Sequence, residues 1–149
     1  YGNNRIIRFN SQGRYLSEWG TAGTRPGEFD LPHSIVIDAD DRVLVGDREN
    51  DRIQIFDLNG RLIDIWTGFA PYGIALDAEN RVHVADGRAG QVLRLNKNGA
   101  IISRLGGTGL APAQFDLPHM LCIDAQGAIH VAEVGGQRFQ KLSAIPAAY

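Results

Sequence analysis

The feature that most constrains this chain is an internal repeat. The segments FDLPHSIVIDADDRVLVGD (29–47), FAPYGIALDAENRVHVAD (69–86) and FDLPHMLCIDAQGAIHVAE (115–133) can be laid over one another. Pro32, Pro71 and Pro118 stand 39 and then 47 residues apart. Asp38, Asp77 and Asp124 keep those intervals, and so do Asp47, Asp86 and Glu133. Gly13, Gly60 and Gly99 run at 47 and then 39, because each closes the preceding unit. Three sets of markers in one register imply a single supersecondary unit used several times.

That unit reads as four short strands. SIVID, RVLVGD, RIQIFD and RLIDIW, within 34–66, alternate apolar and polar residues and are rich in β-branched side chains. Turn clusters separate them, and Asn59-Gly60 and Asn98-Gly99 mark hairpins in which glycine supplies positive φ. No segment sustains a helical period over three turns. Four strands in roughly 40–45 residues is the signature of a β-propeller blade. The spacing therefore predicts an all-β fold, a propeller sector of four-stranded antiparallel blades in one partial domain, 1–149. Residues 1–28 hold the last two strands of a blade, 29–68 and 69–114 are whole blades, and 115–149 supply three strands. Thirteen strands fall short of the four to eight blades, roughly, that close a ring. An open sector leaves sheet faces and edges bare. The expectation is a fragment of a longer chain or a homo-oligomer that completes the propeller.

Composition narrows the function. Among 149 residues, 44% are hydrophobic and 21% charged, a globular balance that excludes a disordered tail. The net charge of −2 lacks the basic excess of a nucleic-acid binder, so none is expected. No run of roughly 18 apolar residues exists, so no membrane-spanning segment is expected. Cys122, the single cysteine, excludes an intrachain disulfide framework and a Cys-rich zinc site. No leader or initiator methionine opens the sequence, so the compartment stays open. A soluble protein, secreted or periplasmic if a leader was removed, is the expectation.

The pattern P-x-x-[IVL]-[AV]-[ILV]-D, followed by [VI]-x-V-[AG]-D and N-x-R-[IV], resembles NHL repeats, which build six-bladed propellers. Within that family, SQGRYLSEWGTAGTRPGEFDLPHSIVID, VGDRENDRIQIFD and the opening YGNNRIIRF resemble the peptidyl-α-hydroxyglycine α-amidating lyases, which are zinc enzymes. The resemblance implies that His33 and His119 fall on two of three zinc histidines from alternate blades, with Tyr72 at the matching place between them. It puts Tyr1 on the catalytic tyrosine and Arg48 on a substrate-site arginine. It also implies cleavage of a C–N bond to give an amide and glyoxylate. The sequence departs from the pattern at two points. The third histidine would precede Tyr1, and Met120, expected to line the channel with Tyr72, stands where the lyases carry aspartate. Family members can carry calcium, but no loop matches that site.

The residues support their own readings. His33 and His119 open the innermost strand directly after proline, so they face the central channel with Tyr72. There they are metal ligands, or channel histidines bonded to water or backbone. Arg48 is either half of an Asp47–Arg48 ion pair on a loop or a guanidinium at the channel mouth suited to a carboxylate. His83 and His130 read as blade-packing or surface residues. Arg5, Arg52 and Arg138 recur at one repeat position and read as links between strands or blades. Trp19, Trp66 and Leu105 read as packing, and Cys122 as a small core residue. No Ser-His-Asp set follows from spacing. Two classes of function stand: a zinc-dependent lyase, and a propeller that binds a protein, peptide or small molecule without chemistry.

Overall fold

The computed structural model describes residues 2–143. Thirteen strands and no helix are present among them. The first sheet pairs β1 (Ile6–Phe9) with β2 (Tyr15–Trp19). The second runs in order β3 (Pro32–Ile37), β4 (Val43–Asp47), β5 (Arg52–Phe56), β6 (Leu62–Thr67). The third repeats it with β7 (Pro71–Leu76), β8 (Val82–Asp86), β9 (Gln91–Leu95), β10 (Ile101–Gly106). The fourth holds β11 (Pro118–Ile123), β12 (Ile129–Glu133), β13 (Arg138–Leu142). Every neighbouring pair is antiparallel.

One turn device shapes the hairpins. Asp38 Oδ1 accepts the amides of Asp40 and Arg42, at 3.0 and 2.9 Å. Asp57, Asp77 and Asp124 repeat the arrangement, as do Asn10 and Asn96. A short side-chain acceptor thus replaces a backbone partner and fixes each turn. Gly60 and Gly99 then take φ of 82° and 79°. Size matters there as much as φ. A Cβ on Gly60 would lie 2.7 Å from Trp19, and one on Gly99 would lie 2.2 Å from Trp66. Trp19 and Trp66, which the sequence reading takes as packing residues, pack on the turn of the next sheet.

The sheets pack face to face. Val43, Val45 and Phe56 meet Phe29, Ile6 and Trp19 between the first two sheets. Leu44, Ile53 and Ile55 meet Ile74, Val82, Val84 and Leu95 between the second and third. Ala75, Ala85 and Val92 meet Leu121 and Val131 between the third and fourth. The recurring arginines tie strands to the loops between sheets. Arg52 pairs with fully buried Asp47 at 2.7 Å and donates to the carbonyls of Thr24, Arg25 and Glu28. Arg138 does the same with Glu133 and the carbonyls of Leu110, Ala111 and Gln114. Among the described residues Arg5 pairs with Glu18, at 3.4 Å.

Two expectations are corrected. Asp47 is taken by Arg52, so Arg48 pairs with Glu49 instead. Cys122 is exposed rather than core. Leu121 beside it faces the third sheet, and strand alternation sends Cys122 to the uncovered side. The same alternation leaves Ile35 and Ile37 about half exposed at the other end of the sector, at 50% and 56%.

Candidate functional site

The inner strands β3, β7 and β11 stand side by side, so the residue after each opening proline reaches one rim. Each of these strands carries a register shift at that point. Pairing skips from Pro32 to Ser34, from Pro71 to Gly73 and from Pro118 to Met120. His33, Tyr72 and His119 are therefore the extra residues of three β-bulges, a device that re-aims a side chain out of the ladder. Repeat position alone predicts that the three meet; the bulges are a signal the sequence does not carry. Leu31 and Leu117, before the prolines, hold left-handed φ of 60° and 54°. Such conformations cost on the order of 1–3 kcal/mol each and persist where surroundings fix them.

The rings of His33 and His119 meet edge to face with centroids 4.6 Å apart. The Tyr72 ring lies 5.6 Å from His119 and 5.9 Å from His33. His33 Nδ1 is 2.6 Å from the Tyr72 carbonyl oxygen, which accepts a hydrogen bond from it. In the neutral imidazole that bond puts the proton on Nδ1 and the lone pair on Nε2. Backbone carbonyls orient metal-binding imidazoles in this way. Burial first, then the charges of His33 and Arg48, lower the His119 pKa, which favours the neutral imidazole that a metal needs.

Arg48 Cζ lies 4.8 Å from the Tyr72 ring centroid, in cation–π range. Its guanidinium holds Glu49 at 2.7 Å. Glu49 and Asp51 also pair with Arg88 of the third sheet, at 3.0 and 2.7 Å. The hydrogen bond from Arg48 holds the Glu49 carboxyl below its usual range. Gly87 occupies Arg48's repeat position one unit later, and a Cβ there would sit 2.5 Å from the Tyr72 ring. The absence of a side chain at Gly87 thus leaves room for the tyrosine ring, and only its repeat position marks Gly87 in the sequence. Met120 is 45% exposed on the uncovered side of β11, next to His119. Tyr1 lies outside the described residues.

The two imidazoles are compatible with one zinc ion. Rings bound through nitrogen at about 2.0–2.1 Å around a tetrahedral ion have centroids about 5 Å apart. They do not form a complete set: among the described residues no cluster of three or more His, Cys, Asp or Glu could hold a metal.

The model for "NHL repeat" matches residues 29–56. NHL repeat-containing protein 3 of Homo sapiens is 33% identical over 148 residues, covering 93% of this chain and 43% of that protein. Peptidylglycine alpha-amidating monooxygenase of Rattus norvegicus is 41% identical over 61 residues, 38% of this chain and 6% of that protein. Virginiamycin B lyase from Staphylococcus aureus superposes with a TM-score of 0.72 at 16% identity, over 95% of this chain and 46% of that one. That structural likeness bears on the fold alone. The chain spans less than half the length of NHL repeat-containing protein 3 and of virginiamycin B lyase. The chain thus carries an NHL repeat within repeated four-stranded antiparallel sheets of the β-propeller type.

Proposed function

We propose that this chain is the metal-binding sector of a zinc-dependent lyase of the amidating type. The observation that carries the reading is the pair of bulge-borne imidazoles, 4.6 Å apart, with His33 Nδ1 tied to a carbonyl. The substrate class is a peptide ending in α-hydroxyglycine. Its hydroxyl loses a proton, the C–N bond breaks, and the amide nitrogen gains a proton as glyoxylate leaves. His33 and His119 would hold the ion. Zinc, when bound, supplies a Lewis acid at the oxygen where negative charge develops. Tyr72 walls the site on its third side. Arg48 keeps a positive face there and would exchange Glu49 for the substrate carboxylate.

Full zinc coordination needs a ligand beyond this sector, within a closed ring. Ile35 and Ile37 at one end, and Met120 and Phe139 at the other, are 45–63% exposed and would be covered by further blades. The greater length of NHL repeat-containing protein 3 leaves room for those blades in one polypeptide. A second copy of this sector is the other source, since two copies bring about six blades. Light scattering on the purified chain separates the two.

One observation favours a second reading, a propeller that binds a peptide or small molecule without chemistry. The carboxylate that Arg48 holds is its own neighbour's. The test compares the parent with a His33→Ala/His119→Ala variant by elemental analysis after dialysis against zinc. Glyoxylate release from an α-hydroxyglycine peptide is measured alongside. Zinc in the parent alone supports the metal site, and glyoxylate supports the lyase. Equal zinc in both, or none in the parent, leaves the binding propeller.

A further inference from the structure

At the far end of the same strands lies a cleft of about 830 Å³ between the third and fourth sheets. Tyr72 is the second residue of β7 and Asp77 follows its last residue, so the cleft is a strand length away from the imidazole rim. Its apolar wall includes Leu105, Ile123, Ile129 and Leu142. Its polar side carries His83 and Arg94, cross-strand partners on β8 and β9.

The charges of the cleft leave one group over. Asp77 accepts from His83 at 2.8 Å and from Arg81 at 2.7 Å. Arg81 also pairs with Glu79. Asp124 is held by His130 at 2.9 Å and by Lys141 at 3.2 Å. Arg94 is the remaining charge. No hydrogen bond or ion pair reaches its guanidinium among the described residues, and its Nε is buried without a partner. His83 is 7% exposed, and its Nδ1 is likewise buried and unbonded. Arg94 stands at the repeat position of Lys141, which does reach its sheet's turn aspartate. In the third sheet Arg81 and His83 already fill that aspartate. A half-buried guanidinium without a partner is uncommon in native proteins and points to a group from outside.

We propose that this cleft is a second binding site, taking a small organic monocarboxylate whose carboxylate pairs with Arg94 and whose apolar body lies on Ile123, Ile129 and Leu142. The volume suits a small molecule, since ligand pockets run roughly 300–1,000 Å³. A single carboxylate matches the one guanidinium of the cleft that no carboxylate contacts among the described residues. Planar carboxylate geometry matches a guanidinium fork. Glu79 and Asp124 on the rim disfavour a more highly charged anion such as phosphate.

Calorimetric titration with hexanoate and 4-phenylbutyrate, against hexanamide and inorganic phosphate, tests this on the whole chain. Saturable binding of the acids in the millimolar range or tighter is expected, with the amide and phosphate at least about tenfold weaker. Arg94→Gln should weaken the acids by about tenfold or more, and His33→Ala should leave them unchanged. Circular dichroism and melting temperature confirm that each variant is folded. If Arg94→Gln perturbs the fold, Arg94→Lys, which keeps the charge, is compared with Arg94→Met. Four outcomes overturn the proposal: equal affinity for acid and amide, phosphate binding tighter than the acids, no effect of removing the Arg94 charge, or no saturable binding of either acid.

Discussion

The seam between the second and third sheets and the seam between the third and fourth use the same repeat positions and end differently. In the first, Leu44 and Ile55 fill the far end of the strands, and both are fully buried with Val82 and Leu95. In the second, those two positions are His83 and Arg94, and the sheets enclose a cleft of about 830 Å³. Ile123, Ile129 and Leu142 there are only partly buried. Two side chains out of a conserved backbone plan thus decide whether a seam is core or cavity. A closed seam contributes hydrophobic stabilisation at roughly 25 cal/mol per Å² buried, and an open one gives part of that up. The fold carries such an opening because each sheet is held by its own ladder and turn caps as well as by its neighbours.

The strongest way to break the comparison is to force the second seam's chemistry on the first. Ile55→Arg places a guanidinium among Leu44, Val82 and Leu95, where Ile55 is fully buried. A loss of about 4 kcal/mol or more is expected in urea unfolding, enough to unfold the chain. A loss below about 1 kcal/mol would mean that the first seam yields as readily as the second. The reverse exchange sharpens the comparison. His83→Leu with Arg94→Ile restores the closed pattern and removes two unsatisfied polar groups. It should stabilise by about 1–2 kcal/mol and abolish carboxylate binding in the cleft.

Acid should act mainly on the open seam. Burial raises the Asp77 pKa, but hydrogen bonds from His83 and Arg81 outweigh it and bring the value from 3.8 down to about 2. Above the unfolded value of 3.8 the carboxylate is charged in both states, and the native state keeps the full gain. That gain fades as pH falls through 3.8 toward about 2. Allowing for screening, about 1 kcal/mol should be lost over that window. His83→Leu removes one of the two side-chain donors, so its stability should change less over the same range. An equal pH slope in parent and variant would remove His83 from the account.

Much of this was legible in the sequence because a propeller repeats its geometry. Pro32, Pro71 and Pro118 fix the inner strands, and equal repeat position implies that His33, Tyr72 and His119 meet on one rim. The glycine turns and the packing of Trp19 and Trp66 follow from the same register. What the repeat could not carry is what differs between its copies. Asp47 chooses Arg52 over the adjacent Arg48 because strand pairing sets Asp47 directly opposite Arg52. Cys122 sits in an apolar strand yet is exposed, since burial there depends on the neighbouring sheet and not on the strand. His83 and Arg94 look like ordinary polar residues at alternating positions. Only the cross-strand register puts them together, facing the fourth sheet.

The smallest effect concerns Lys141, the counterpart of Arg94 on the fourth sheet. Its ammonium lies 3.2 Å from Asp124, but the side chain is 51% exposed on the uncovered face. An ion pair in water gains little Coulomb energy and gives up side-chain freedom. Asp124 keeps His130 and the amides of Gln126 and Ala128 when the lysine is removed. Lys141→Met should therefore cost less than about 0.5 kcal/mol at moderate salt, and less still in strong salt. If the loss instead exceeds about 1 kcal/mol and resists salt, Lys141 is shielded from solvent. That result would mean a further sheet covers this face in solution, as a closed ring requires. The same measurement on Arg94→Met then completes the comparison. Arg94 has no partner to lose among the described residues, so its removal should be neutral or stabilising where that of Lys141 is slightly destabilising.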